Sequence, residues 1–275
     1  MNRLMRSFLL AATGATALLS GAAHAAAPDA AGGPPPAQAW ADLARLPDWS
    51  GVWNPDFRDE VAQEHTNIPP WTPAVASQVA AMHAEEKAGH PRGPFLNCLP
   101  EGMPSWMLIS HNAMEILFTP GRVTLLGESD GNRLRRIYTD GRTHSDDPDP
   151  TLHGESIGRW EGDTLVVDTI GVLPQAYLAI SESVAIPNNG DLHVTERLHL
   201  VGPDTLHDDL VITAPHVLTS PWKTTRTFSR QRGRKFEIVE GECRQGDFTE
   251  QTDKDGNAVF VLQSQDEGNV VPAGK

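Results

Sequence analysis

The sequence predicts a mainly β domain, either an antiparallel barrel or a two-sheet sandwich, with one or two short N-terminal helices. Three observations predict it. From Met114 onward apolar residues recur at every second position, the period of a half-buried strand. Gly-Arg, Asp-Gly, Gly-Asp and Gly-Pro-Asp pieces separate these runs, and such pieces favour turns. Few helical patterns lie between the runs, so neighbouring strands are expected to pair antiparallel. A barrel is favoured over a sandwich because closure removes the unpaired strand edges.

Taken in order, the first segment reads as an address. Arg3 and Arg6 precede the apolar or small run Phe8–Leu19, and Ala23-His24-Ala25 supplies a small-x-small cleavage pattern. A charged start, a short apolar run and such a site read as a secretory signal over residues 1–25. The run is too short to span a bilayer, so no membrane insertion is expected after its removal. Residues 26–38, with Gly32-Gly33-Pro34-Pro35-Pro36, read as a disordered linker. A single β-rich domain is expected over 39–265, with a flexible tail over 266–275. Trp40, Leu43 and Leu46 fall at helical spacing, so a turn or two is expected over Ala39–Arg45, ended by Pro47. A longer helix is expected from Pro73 to Ala88. Thr72 suits its N-cap, Pro73 its first position and Gly89 the residue past its end, while Val75, Val79 and Met82 make one stripe.

The candidate strands are Met114–Thr119, Arg122–Gly127, Leu134–Thr139, Thr164–Ile170, Leu192–Leu200, Thr205–Thr213, Thr224–Arg230, Phe236–Glu242 and Val259–Gln263. Two of them carry an acid within an apolar row. Leu192, Val194, Glu196, Leu198 and Leu200 share one face, and Leu206, Asp208, Leu210 and Ile212 share another. If those rows face the interior, Glu196 and Asp208 are buried carboxyls that need a cation or a raised pKa. The turn Gly202-Pro203-Asp204 makes these strands neighbours.

The pieces Gly121-Arg122-Val123-Thr124, Arg136-Ile137-Tyr138-Thr139-Asp140-Gly141-Arg142 and Gly154-Glu155-Ser156-Ile157-Gly158-Arg159-Trp160-Glu161-Gly162-Asp163-Thr164-Leu165-Val166-Val167-Asp168-Thr169 resemble a family of secreted bacterial proteins. The likeness runs on through Thr195-Glu196-Arg197 and Pro221-Trp222 towards Cys243. It implies kinship and export, and it implies no reaction. Ser50-Gly51-Val52-Trp53 resembles the Gly-x-Trp opening of lipocalin-like barrels.

Composition bounds the function. Twenty-two Lys and Arg stand against 36 Asp and Glu, a net charge of −14. Such a chain lacks the clustered cations that a nucleic-acid backbone needs, so no nucleic-acid partner is expected. Loss of residues 1–25 removes two arginines and takes the charge to −16. The two cysteines, Cys98 and Cys243, have no C-x-x-C partner. After export, pairing is their default, and closing so long a loop stabilises by up to roughly 5 kcal/mol.

The densest polar stretch runs from Asp140 to His153 and joins two strands with too many residues for a tight hairpin. Its His144, His153, Asp146 and Asp149 are candidates for acid/base work, with Glu196 and Asp208 beside them. In this reading Asp146 or Asp149 orients a histidine, and Arg142, Trp160 and Trp222 contact the ligand. The loop is expected at the rim of the main cavity, with His144 or His153 facing inward. His144, Asp146 and His153 lack a compact metal-ligand spacing, so no metal is expected. Gly154-Glu155-Ser156-Ile157-Gly158 matches a nucleophile elbow, but no strand precedes it and no helix follows. No Gly-rich nucleotide motif appears between a strand and a helix, so no cofactor is expected. The resulting expectation is an exported, periplasmic or secreted barrel enclosing a small, partly apolar organic molecule. Cofactor-independent elimination, isomerisation or hydrolysis is one version, and carriage without turnover is the other. Oligomeric state is not readable from these features.

Overall fold

The structure, a computed structural model, describes residues 40–91, 93, 99–109, 113–128, 133–233 and 235–239, and the backbone of 248–252 and 258–262. The expected signal, linker and tail lie outside the described residues, as do Cys98 and Cys243. None of the helices described is long and apolar enough to cross a membrane.

Nine strands close into a barrel. In chain order they are β1 (Val52–Pro55), β2 (Met114–Thr119), β3 (Arg122–Gly127), β4 (Leu134–Tyr138), β5 (Glu155–Glu161), β6 (Thr164–Ile170), β9 (His193–Gly202), β10 (Thr205–Thr213) and β11 (Trp222–Gln231). Two small hairpins stand apart from it, β7 (Tyr177–Ala179) with β8 (Ala185–Pro187) and β12 (Phe248–Thr252) with β13 (Ala258–Leu262). The order around the barrel is β1-β11-β10-β9-β6-β5-β4-β3-β2. Closure excludes the two-sheet sandwich. β1 completes the ring by pairing Val52 with Gln231 on one side and with Glu115 on the other.

One pairing departs from the antiparallel expectation. β4 and β5 run parallel, with Ile137 opposite Ser156 and Tyr138 opposite Ile157. A parallel neighbour needs a connection that returns the chain to the end it left. Residues 139–154 are that return, and this is why the loop is too long for a hairpin. β5 itself covers most of the elbow-like segment Gly154–Gly158 and is not among the expected strands. Gly154 does turn, at φ +67°, where a Cβ would lie 2.4 Å from the Ile170 carbonyl oxygen. Gly158 instead lies within the strand, because a Cβ there would press on Ile137 at 2.7 Å. Residues 236–239, expected to begin a strand, form none.

Among the described residues four helices pack around the barrel: α1 (Trp40–Leu43), α2 (Phe57–His65), α3 (Pro73–Lys87) and α4 (Ser105–Leu108). The caps of α3 follow the sequence reading, with the Thr72 hydroxyl accepting from the Val75 amide and Gly89 at φ +79°. Asp56 caps α2 in the same way through the Arg58 amide, an N-cap signal that the sequence reading passed over. α4 is buried along its whole length and stops one end of the barrel. Trp106 of α4 packs so close to Gly127 that a Cβ there would meet the indole at 2.6 Å. The opposite end, formed by the β2–β3, β5–β6 and β9–β10 hairpins, is the mouth. Between the two ends Leu125, Ile137, Leu165, Leu198, Leu206 and Phe228 fill the interior.

Candidate functional site

The alternation of β6 and β9 sends neighbouring residues to opposite sides of the barrel wall. Two polar clusters result, and a third site lies at the mouth.

The inner cluster is centred on Arg135, Glu196 and Asp208, all 0% exposed. The inward choice for the Glu196 and Asp208 rows therefore holds. Arg135 of β4 grips Glu196 with two donors, Nη1 to Oε1 at 2.7 Å and Nη2 to Oε2. Its Nη2 also donates to Thr169 Oγ1 at 3.0 Å and Ser156 Oγ at 3.2 Å. Such a bidentate, fully hydrogen-bonded ion pair is the form in which a buried charge is tolerated. Ser156, the central residue of the elbow-like motif, is thus a ligand of Arg135 within a strand, not a nucleophile on a turn. Asp208 lies diagonally across from Glu196, since Leu210 pairs with Glu196 and Asp208 with Leu198. Neither Asp208 oxygen accepts from an N–H donor, and its side-chain partner is the Glu196 carboxyl. Burial, reinforced by the charge of Glu196, pushes its pKa well above the usual carboxylate value. Asp208 is therefore a buried carboxyl that resists ionisation beside the Arg135-bound Glu196. Leu206 and Phe228, paired across β10 and β11, are buried on the mouth side of Asp208. A substrate has no route past them in this conformation.

The outer cluster holds His144 against the wall. His144 Nδ1 lies 2.8 Å from Glu155 Oε1, and Nε2 lies 2.9 Å from Asp168 Oδ2. His193 Nε2 meets the other oxygen of Asp168 at 2.6 Å. Ser145 adds its amide at 2.9 Å and its hydroxyl at 2.7 Å to Glu155. Burial raises the pKa of Glu155, but the Ser145 and His144 hydrogen bonds outweigh it and leave a net lowering. Several expectations change here. The loop lies along the outer wall instead of ringing a cavity, because it must travel back to the start of β5. The carboxylates on His144 are Glu155 and Asp168; Asp146 and Asp149 are exposed. Arg142 is engaged locally, with Nε 2.9 Å from Asp140 Oδ1 and its guanidinium 3.9 Å over the Tyr138 ring.

His153 ends the loop differently. It tucks beneath α4, with its ring 5.4 Å from Trp106 and nearly perpendicular to it. Both ring nitrogens are buried without a hydrogen-bond partner. Burial, with Arg135 and Arg133 nearby, lowers its pKa to about 4. Trp222 is a core residue whose indole donates to the Asn67 carbonyl at 3.0 Å.

The mouth carries a cleft of about 540 Å³. Phe118, Val123 and Trp160 give it an apolar floor, Thr139 adds a hydroxyl, and the α1 segment with Leu43 and Leu46 forms one wall. Trp160 packs edge-on to Phe118 at 5.6 Å and against Trp49 at 5.3 Å, so its position is fixed. Of the three aromatic and cationic residues expected at a ligand, Trp160 alone stands in this cleft. Arg122, also in its lining, is not among the residues expected at a ligand; its signal is the position directly after the Pro120-Gly121 turn between two strands. Compared with protein-family models and with curated proteins, the chain matches neither.

Proposed function

We propose that the protein is an exported, non-membrane barrel that binds a small, partly apolar organic molecule at its mouth. The observation that carries this reading is the cleft itself. It is of ligand size, has a preformed aromatic floor, and offers a few polar groups at its edge, the usual make-up of a small-molecule site. The filled interior supports binding at the mouth over enclosure within the barrel. Trp160 reports on occupancy. Fluorescence titration with a neutral aromatic probe, N-phenyl-1-naphthylamine, should show saturable one-to-one binding in the micromolar range. Trp160→Leu should weaken it about tenfold, with an unchanged circular dichroism spectrum. Probe affinity that is indifferent to Trp160 would remove the mouth from consideration.

One observation favours turnover as a second reading: burial and the neighbouring Glu196 raise the Asp208 pKa, an arrangement suited to acid/base chemistry. It requires the core to open between the mouth and Asp208. With a converted substrate in hand, Asp208→Asn should abolish turnover while leaving mouth binding intact, and full activity in that variant would end the reading.

A further inference from the structure

The ligand's chemistry follows from the charges around the mouth. Three basic or acidic side chains line the cleft: Asp42, Arg45 and Arg122. Asp42 and Arg45 neutralise each other across one helical turn at 2.7 Å. Arg122 differs. Its Nε is buried, yet it has no hydrogen-bond partner, and Arg122 makes no ion pair among the described residues. Several arginines of the barrel are matched to acids, Arg135 to Glu196, Arg142 to Asp140, Arg159 and Arg197 to Glu161, and Arg230 and Arg232 to Asp48, whereas Arg133 shares with Arg122 a buried Nε that lacks a hydrogen-bond partner. In a chain of net charge −14, an arginine without an acid partner in the lining of an aromatic-floored cleft leaves a positive charge for a ligand to meet. A buried donor without a partner is costly, and an arriving acceptor removes the cost.

Arg122 enters the site from β3, directly after the β2–β3 turn, while Phe118 and Trp160 are fixed by their mutual packing. A flat apolar body against Trp160 would therefore leave a projecting group near the guanidinium. Anions that present two oxygens to a guanidinium fork, as carboxylates and sulfonates do, match it better than any neutral group does. We propose that the mouth selects aromatic or similarly flat organic anions, carboxylates or sulfonates, with Arg122 as the residue that recognises the anionic group. This selectivity rests on the mouth being the binding site.

Two probes of nearly the same shape separate the claims. 1-Anilinonaphthalene-8-sulfonate carries an anionic group that N-phenyl-1-naphthylamine lacks. The wild-type protein should bind the sulfonate at least tenfold more tightly, with affinity falling as salt is raised. Arg122→Gln should weaken the sulfonate about tenfold, leave the neutral probe within twofold, and flatten the salt dependence. Arg122→Lys should recover part of the loss, because charge returns without the fork. Equal loss of both probes on Arg122→Gln, or no loss of either, would overturn the anion proposal. Failure of Trp160→Leu to affect either probe would instead overturn the mouth as the site. Melting temperature checks that each variant is folded.

Discussion

The inner and outer polar clusters share two strands, β6 and β9, whose alternation sends their polar residues to opposite faces of the wall. Thr169 and Glu196 face inward; Asp168 and His193 face outward. Inside, Glu196 is 0% exposed and its partner Arg135 makes five hydrogen bonds, three to two hydroxyls and two to the carboxylate. Outside, His193 and Asp168 are partly solvated. The chemistry of the two groups is alike, a cation or imidazole on a carboxylate, but the medium is not. In the dry interior a charge must be matched for the fold to stand. At the wet wall water replaces whichever partner is lost, so the same kind of contact positions a loop and little more.

The contrast can be broken most severely from inside. Arg135→Met leaves Glu196 buried and unpaired, which should cost about 3–5 kcal/mol. Urea unfolding should show it, and the double variant Arg135→Met, Glu196→Leu should recover most of the loss. A single variant as stable as the wild type would mean that water reaches this pocket.

His153 sharpens the comparison through pH. Its folded pKa of about 4 is below the ordinary 6.5, so the folded state binds fewer protons than the unfolded chain between those values. Stability is then full above about pH 6.5 and declines as pH falls towards 4, by about 3 kcal/mol in all. His153→Phe should remove that part of the acid sensitivity; an unchanged slope of stability against pH would assign it to other groups.

The smallest effect belongs outside. His144→Ala should lower stability by about 1 kcal/mol, since both of its hydrogen bonds are partly solvated. Its clearer mark should be local, as faster hydrogen exchange at the Ser145 amide and proteolysis within residues 140–150. A loss as large as that from the inner pair would dissolve the distinction between the two clusters.

How much of this was legible follows from period and distance. The inward rows of Glu196 and Asp208 could be read because β9 and β10 alternate without interruption and are joined by a tight turn. Arg135 could not be read as the partner of Glu196. It stands in an Arg135-Arg136 pair, which leaves its face undecided, and the contact spans much of the chain. The parallel β4–β5 pairing was invisible for the same reason, since a ladder of so few residues has no local sequence signature. Without it, the length of the 139–154 connection looked like a functional loop. Trp160 at the mouth was legible as a stacking residue, whereas the importance of Arg122 depends on what is missing around it, which only three dimensions reveal.

The position of β1 has a consequence for the order of events as the chain is made. Val52–Pro55 is wedged between β2 and β11, and its ladder to β11 reaches Gln231. At a synthesis rate of about 5–20 residues per second, β1 waits on the order of ten seconds for that partner. Until it arrives the ring is open, Trp53 lacks its covering arginine, Arg230, and no cooperative barrel exists. Pairings this distant also close slowly, because chain entropy is lost before contact is gained. On the export reading the delay is useful: a polypeptide whose first strand cannot be buried early stays threadable until translocation, and it folds only on the far side.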